Sequence, residues 1–380
     1  MSKSIERIAL PVVSPGTVRH LSVHRYGKRD ARPKAFLQAA VHADETPGLL
    51  VQHHFIRMLD EAERNGQIRG EFVILPVANP IGLGQWVNAE MAGRYELGGA
   101  GNFNRGWPDL FAGLADRVAG KLGADATRNI ATVRAAMGSA IEAMHPTTEL
   151  SSLRQIVCKL AYDADFVFDL HCDDDSLMHL FLIPQHWPDA KDLSAEIGSR
   201  ATMLAEDSGG RSFDETFSTP WTKLAAKVGS ATPVPAACLA CTIEYRGQAD
   251  ATDELAEADA RALFRFFQRR GLIEGDPGPL PTALCDATPL EAADVLRSPV
   301  AGIVTYRKPL GAYIAKNEVV AEIVDPFADD PLKARTPVTT QTEGTFLSRR
   351  AHKMVRPGDS IAKIVGKEPL AYRTGMLLVD

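Results

Sequence analysis

The stretch KAFLQAAVHADETP, residues 34–47, decides the fold. Its first eight residues form a short apolar run with no helical period, which reads as a buried strand. His42 and Glu45 follow at once, three residues apart. Thr46 and Pro47 then open a helix. Leu49, Leu50, Ile56, Met58 and Leu59 give it one apolar face, and Asn65-Gly66 ends it. In open α/β sheets ligands gather beyond the carboxyl ends of the strands. His42 and Glu45 lie at such an end.

Reading outward, EFVILPVAN (71–79) is a second strand, closed by Asn79-Pro80. Residues 82–110 carry many Gly and Asn and little periodicity, the mark of a long functional loop. Residues 111–162 read as mostly helical. DFVFDL (165–170) and LMHLFLIP (177–184) are two more buried strands. Residues 189–207 read as a helix, 237 and 241–247 as a strand, and 251–271 as a helix. The alternation predicts an α/β fold, a mixed sheet with helices on both faces.

The pattern changes near Asp276. DPGPLPT is a Pro/Gly linker, and beyond it come short strands and turns. Gly302-Ile303-Val304 followed by Val320–Val324 is echoed by Gly344-Thr345-Phe346 followed by Ile361–Val365, at an offset of roughly 41 to 42 residues. Two similar β units suggest a small barrel or flattened sandwich. A chain of 380 residues is long for one core. The expected division is therefore a catalytic domain over 1–275 and a β domain over 276–380.

Composition narrows the function. The chain is 45% apolar and 24% charged with a net charge of -6, which argues against a nucleic-acid partner. It has no apolar run of roughly eighteen residues, so no membrane span is expected. The start has no long apolar core after its basic residues, so no secretory signal is expected. Five cysteines, an odd count, fit a reducing, cytoplasmic setting better than a disulfide framework.

The chemistry rests on a few residues. His171 closes the DLH run at a second strand end. With His42 and Glu45 it makes two imidazoles and one carboxylate, which leaves a fourth position open on zinc for water activation. His-x-x-Glu alone reads equally well as a helix-start histidine and a first-turn glutamate. Asp169 either orients a ligand or serves as a buried cap. Glu244 shares a strand face with Thr242 and Arg246; it is either a general base and proton shuttle or a surface partner of Arg246. In the long loop, Asn104-Arg105 can hold a carboxylate and Arg94 can polarise a carbonyl. As single residues both arginines are more often solvated.

In this order, His42-x-x-Glu45, Asn104-Arg105, Asp169-Leu170-His171 and Glu244 resemble the succinylglutamate desuccinylase/aspartoacylase family, a relative of the zinc carboxypeptidases. The similarity covers roughly residues 35–270, and the C-terminal β region resembles that family's appended barrel. The resemblance implies one zinc ion per chain on His42, Glu45 and His171, with Glu244 as general base. It implies that Asn104 and Arg105 bind a substrate carboxylate and that Arg94 polarises the scissile carbonyl. The implied substrate is a small N-acyl amino acid, cleaved at its amide bond. The alternatives are a metallocarboxypeptidase acting on small peptides and, from another class, a noncatalytic binding or carrier protein. The C-terminal region is expected to serve packing, homo-oligomer contacts or partial cover of the site.

Other signals carry less. Asp173, Asp174 and Asp175 follow His171; a solvated acidic turn is favoured over recognition of a substrate amine. Cys238 and Cys241 form a CxxC inside an apolar run and read as buried thiols. His53-His54 lies within a helix, where neighbours do not share a face. Gly98–Gly101 is loop. Lys333 lies where lipoyl and biotinyl carriers hold a modified lysine, but its flanks fit neither, and it is expected to be unmodified.

Overall fold

A computed structural model describes residues 3–378. A nine-stranded mixed sheet forms its centre. In chain order its strands are β1 (Ser4–Ala9), β2 (His20–Tyr26), β3 (Lys34–Ala39), β4 (Glu71–Leu75), β5 (Phe166–Asp173), β6 (His179–Leu182), β7 (Ala201–Leu204), β8 (Leu239–Gly247) and β9 (Ala287–Pro289). Their spatial order is β1-β2-β4-β3-β5-β8-β6-β7-β9. The four central strands, β4, β3, β5 and β8, run parallel to one another.

The long helices are α1 (Thr46–Arg64), α2 (Ala126–Glu142), α3 (Glu149–Ala161), α4 (Phe213–Val228) and α5 (Asp253–Arg269). They divide between the two faces because each central strand alternates its apolar side chains. Ala35, Leu37, Phe168, Leu170, Cys241 and Ile243 pack with α1 and α5. Phe36, Val73, Val167 and Ala240 pack with α2, α3 and α4. A strand buried on both faces needs apolar residues at every position, which explains the unbroken runs. Phe267 of α5 sits among five rings, those of Phe55, Phe72, Phe166, Phe168 and Phe266, at centroid distances of 5.1–6.0 Å.

The C-terminal strands are β10 (Ala293–Arg297), β11 (Gly302–Tyr306), β12 (Val319–Val324), β13 (Arg335–Thr339), β14 (Gly344–Arg349) and β15 (Ser360–Val365). All four strands expected from the repeat are present. They divide between two sheets that share one hydrophobic cluster, including Val304, Val320, Ile323, Phe346, Ile361 and Ile364. The two parts of the chain also exchange strands. β9 joins the edge of the central sheet beside β7. The two-residue strand Asp175–Ser176 pairs with β14.

The helix expected over 189–207 is corrected. A helix covers only Lys191–Glu196. Gly198 takes a left-handed φ of 66° and turns the chain, and Ala201–Leu204 becomes β7, parallel to β6. A short apolar run fits a helix turn and a strand equally well by periodicity, and pairing with β6 decides it. Helix α4 and strands β1 and β2 are additions that the sequence reading did not mark. The loop over 82–110 holds two small hairpins, pairing Trp86–Val87 with Glu90–Met91 and Tyr95–Glu96 with Gly101–Asn102. Among the described residues no helix is long and apolar enough to cross a membrane.

Phe267→Ala is expected to lower stability by about 3–5 kcal/mol, since it removes a fully buried ring from a cluster that cannot collapse around it. The exposed Phe327, replaced in the same way, should change it by less than about 0.5 kcal/mol. Urea denaturation of the two variants checks the contrast.

Candidate active site

The site is built around one carboxylate. Glu45 stands at the N-cap of α1, yet its side chain makes no cap hydrogen bond. It turns instead toward two strand ends. Oε1 lies 2.8 Å from His42 Nδ1, and Oε2 lies 2.8 Å from His171 Nδ1. Oε2 also accepts the Cys172 N–H at 3.1 Å. All three side chains are buried.

The outer nitrogen of each ring has its own acceptor. His42 Nε2 meets Asn102 Oδ1 at 2.8 Å, and His171 Nε2 meets Asp169 Oδ2 at 2.7 Å. Asp169 Oδ1 accepts in turn from Gln38 Nε2. An acceptor on the outside assigns the N–H to Nε2 and turns the Nδ1 lone pair inward. The three inward donor atoms lie within 4.8 Å of one another. Two imidazole nitrogens and a carboxylate with fixed orientation suit a borderline metal ion and leave one coordination position open. The residues present therefore fit a divalent metal.

The charges follow from the same contacts. Burial draws His42 below the ordinary histidine range, aided by Arg94 and opposed by Glu45. Burial alone would raise Glu45, but His42 and His171 outweigh it and hold the carboxyl well down. Burial disfavours a charged His171, but Asp169 and Glu45 outweigh it and hold this ring well up. Two carboxylates thus converge on one ring.

The structure brings the other expected residues to one cavity, whose lining includes His42, Glu45, Arg94, Asn104, Arg105, His171 and Glu244. Glu244 of β8 lies opposite His171 of β5 in register. Its Oε2 is buried and has no hydrogen-bond partner. Burial, with help from Glu45 and Asp173, pushes its carboxyl up to about 8, against His171 and Lys363. Arg246 does not neutralise it. A bulge between Glu244 and Gly247 turns Arg246 away, at a φ of 62°, to pair with Asp259.

Arg94 Nη1 donates to Glu45 Oε1 at 3.0 Å and reaches His42 Nδ1 at 3.2 Å. Gly93 makes this approach possible: a Cβ there would come within 2.2 Å of the Asp44 nitrogen. Asn104 is buried; its Oδ1 accepts the Phe213 N–H, and its Nδ2 lies 3.4 Å from His171 Nε2. Arg105 Nη1 donates to the Asn104 carbonyl, and Nη2 donates to the Leu378 carbonyl at 3.0 Å.

The acidic run after His171 is not a solvated turn throughout. Asp173 pairs with Lys363 of β15, and Asp175 pairs with Arg349 of β14 at 2.7 Å, while Asp174 is exposed. Asn102, Lys363, Asp214 and Glu215 were not singled out from the sequence. Asn102 lies two residues before Asn104, and only the path of the loop brings it to His42. Lys363 carried one signal, a charge inside the otherwise apolar strand Ile361–Val365. Asp214 and Glu215 are buried in the first turn of α4 and line the same cavity. Burial, then Asp214, pushes Glu215 up to about 7.

The remaining motifs stay apart from the site. Cys238 and Cys241 are buried, and burial pushes the Cys238 thiol up to about 12. His54 pairs with Asp253 while His53 is exposed. Lys333 stands in an exposed turn between β12 and β13, beside Asp330.

Comparison with known families finds that residues 31–270 match the succinylglutamate desuccinylase/aspartoacylase catalytic domain. Among solved structures, a protein assigned to that family from Shewanella amazonensis superposes with a TM-score of 0.82 at 22% identity, covering 95% of this chain and 98% of its own. A second, from Shewanella frigidimarina, gives 0.82 at 20% identity, covering 96% and 97%. The ectoine utilization protein of Ruegeria pomeroyi, in a product-bound structure, gives 0.67 at 17% identity, covering 96% and 95%. At these identities the likeness shows a shared fold. A comparison with curated proteins finds no match.

Asn102→Ala and Asp169→Asn are each expected to lower affinity for a divalent metal by about 10–100-fold, because each frees a ligand ring to rotate. Calorimetric titration of the metal-free protein with zinc measures this. An unchanged circular dichroism spectrum separates the effect from unfolding.

Proposed function

The chain belongs to the succinylglutamate desuccinylase/aspartoacylase family, and from that premise we propose that it is a zinc-dependent hydrolase of the amide bond in an N-acyl amino acid. The observation that carries this reading is the Glu45 carboxylate between two oriented imidazoles, opening on a cavity that also holds Glu244 and Arg105.

We read His42, Glu45 and His171 as the ligands of one zinc ion. When bound, zinc supplies Lewis acidity and a water that is nucleophilic at neutral pH. Glu244 takes the proton of the attacking water on its free oxygen and returns it to the departing nitrogen. Its raised pKa suits a group that must both accept and release a proton. Arg94 aims its guanidinium at the carbonyl oxygen, where charge develops. Arg105, with Asn104, holds the substrate carboxylate, which takes the acceptor position now filled by the Leu378 carbonyl. The reaction breaks the C–N bond, adds the water oxygen to the acyl carbon and gives a carboxylic acid and an amine.

In this reading residues 1–275 are the catalytic domain, of the zinc carboxypeptidase type. Residues 276–380 are a small β sandwich, consistent with the two C-terminal sheets that share one core.

A panel of N-acetyl and N-succinyl amino acids, assayed with and without a chelator, tests the proposal. At least one should be hydrolysed; chelation should abolish the activity and added zinc should restore it. Glu244→Gln should lower kcat by about 10²–10⁴-fold with zinc content unchanged. Activity on dipeptides alone would mark a carboxypeptidase instead. Zinc binding without hydrolysis of any substrate would overturn the enzymatic reading.

A further inference from the structure

Two cavities meet at the candidate metal centre. One holds His42, His171, Glu244 and Arg105. The other opens between the two parts of the chain and includes Asp44, Asp174, Gln248 and Arg350. Six residues line both: Glu45, Arg94, Cys172, Asp173, Ser360 and Lys363. In the deacylase reading, a substrate with its carboxylate on Arg105 would place its amino acid in the first cavity and its acyl group toward the second. The bond to be cut then lies at the junction these six residues surround.

Ser360 and Lys363 come from β15, in the C-terminal part. Lys363 is the only charged residue in the strand and lies between buried Ala362 and Ile364. A lysine there is costly unless its ammonium finds a partner. Its Nζ leaves the C-terminal core and pairs with Asp173, two residues beyond His171. Asp173 is its one hydrogen-bond partner among the described residues. An ammonium has three donors, so two remain for the junction. The side chain is 26% exposed and lines both cavities.

Domain docking alone accounts for this poorly. Asp175 and Arg349 of β14 make a second ion pair between the two parts of the chain; Asp175 lines neither cavity, and Arg349 lines only the second, outside the junction. The pair with Lys363 is the one that reaches the junction.

We infer that Lys363 is a further catalytic residue, donated by the C-terminal part, which hydrogen-bonds the oxygen of the scissile carbonyl beside Arg94. The inference rests on the deacylase reading. Two cationic donors share the charge that develops on that oxygen as water adds to the carbon. Preorganised donors of this kind act on the transition state more than on the bound substrate. The C-terminal β strands are then part of the active site and not an accessory to it.

The test compares zinc-loaded wild type with Lys363→Met, Lys363→Arg and Asp175→Asn on the best substrate of the wild type. Lys363→Met should lower kcat by about 10²–10³-fold, as loss of one oxyanion donor does. KM should stay within about threefold and zinc content should be unchanged. Lys363→Arg should recover at least about a tenth of the wild-type kcat, since the charge and donors remain. Asp175→Asn should lower Tm and leave kcat within about twofold, since an ion pair breaks outside the junction. Should Lys363→Met not fold, Lys363→Gln keeps a donor for Asp173, removes the charge and is held to the same expectation. A Lys363→Met or Lys363→Gln enzyme with normal kcat and reduced Tm overturns the inference and leaves Lys363 a clamp. A rise in KM alone overturns it also. A wild type that binds zinc but hydrolyses no N-acyl amino acid fails the deacylase reading itself, a different result from an active wild type with an unaffected variant.

Discussion

A carboxylate buried in the middle of a protein is tolerable only where positive charge or hydrogen-bond donors surround it. Glu45 meets that condition through the Cys172 N–H and the Arg94 guanidinium, with the His42 and His171 rings against its two oxygens. The three side chains reach it by separate routes. His42 follows β3, His171 stands on β5, and Arg94 comes from the loop between two hairpins. The parallel pairing of β3 with β5 is therefore a requirement of the site, because it brings the two histidines to the same edge of the sheet. The aromatic cluster around Phe267 supports the same strands from behind, through Phe166 and Phe168.

The second constraint is orientation. A histidine ring free to rotate offers a metal either nitrogen, or neither. Asn102 and Asp169 remove that freedom from outside. The two acceptors differ: Asp169 is a carboxylate on the same strand as its ring, whereas Asn102 is an amide brought in by a loop. The loop is itself fixed by the Asn104 amide against the start of α4. Helix α4 thus acts on the candidate metal centre indirectly, through Asn104 and Asn102.

The C-terminal strands complete the enclosure. Asp173 and Asp175, at and just beyond the end of β5, pair with Lys363 and Arg349, and Leu377 and Leu378 lie along the cavity wall. Glu244 feels both neighbourhoods: His171 on one side favours its charged form, and so does Lys363 on the other. The environment of the candidate base is in this way set jointly by the two parts of the chain.

The α/β character and the buried group of His42, Glu45 and His171 were legible in the sequence. Buried strands write themselves as apolar runs, and strand-end residues follow those runs directly. His42, Glu45, His171 and Glu244 are all of this kind. Residues 189–207 show where such reading fails, since a six-residue helix and a four-residue strand share one apolar pattern until a neighbouring strand offers hydrogen bonds. The acidic run after His171 looked solvated because its partners lie 174 and 190 residues away. The sequence by itself determined which residue types stand at the strand ends, because that depends on local pattern. Only the tertiary structure decided that Asn102 orients His42, that Arg246 turns away from Glu244 and that Lys363 enters the site. Those contacts join segments distant in the chain, and nothing in local periodicity records which distant side chain fills a given space.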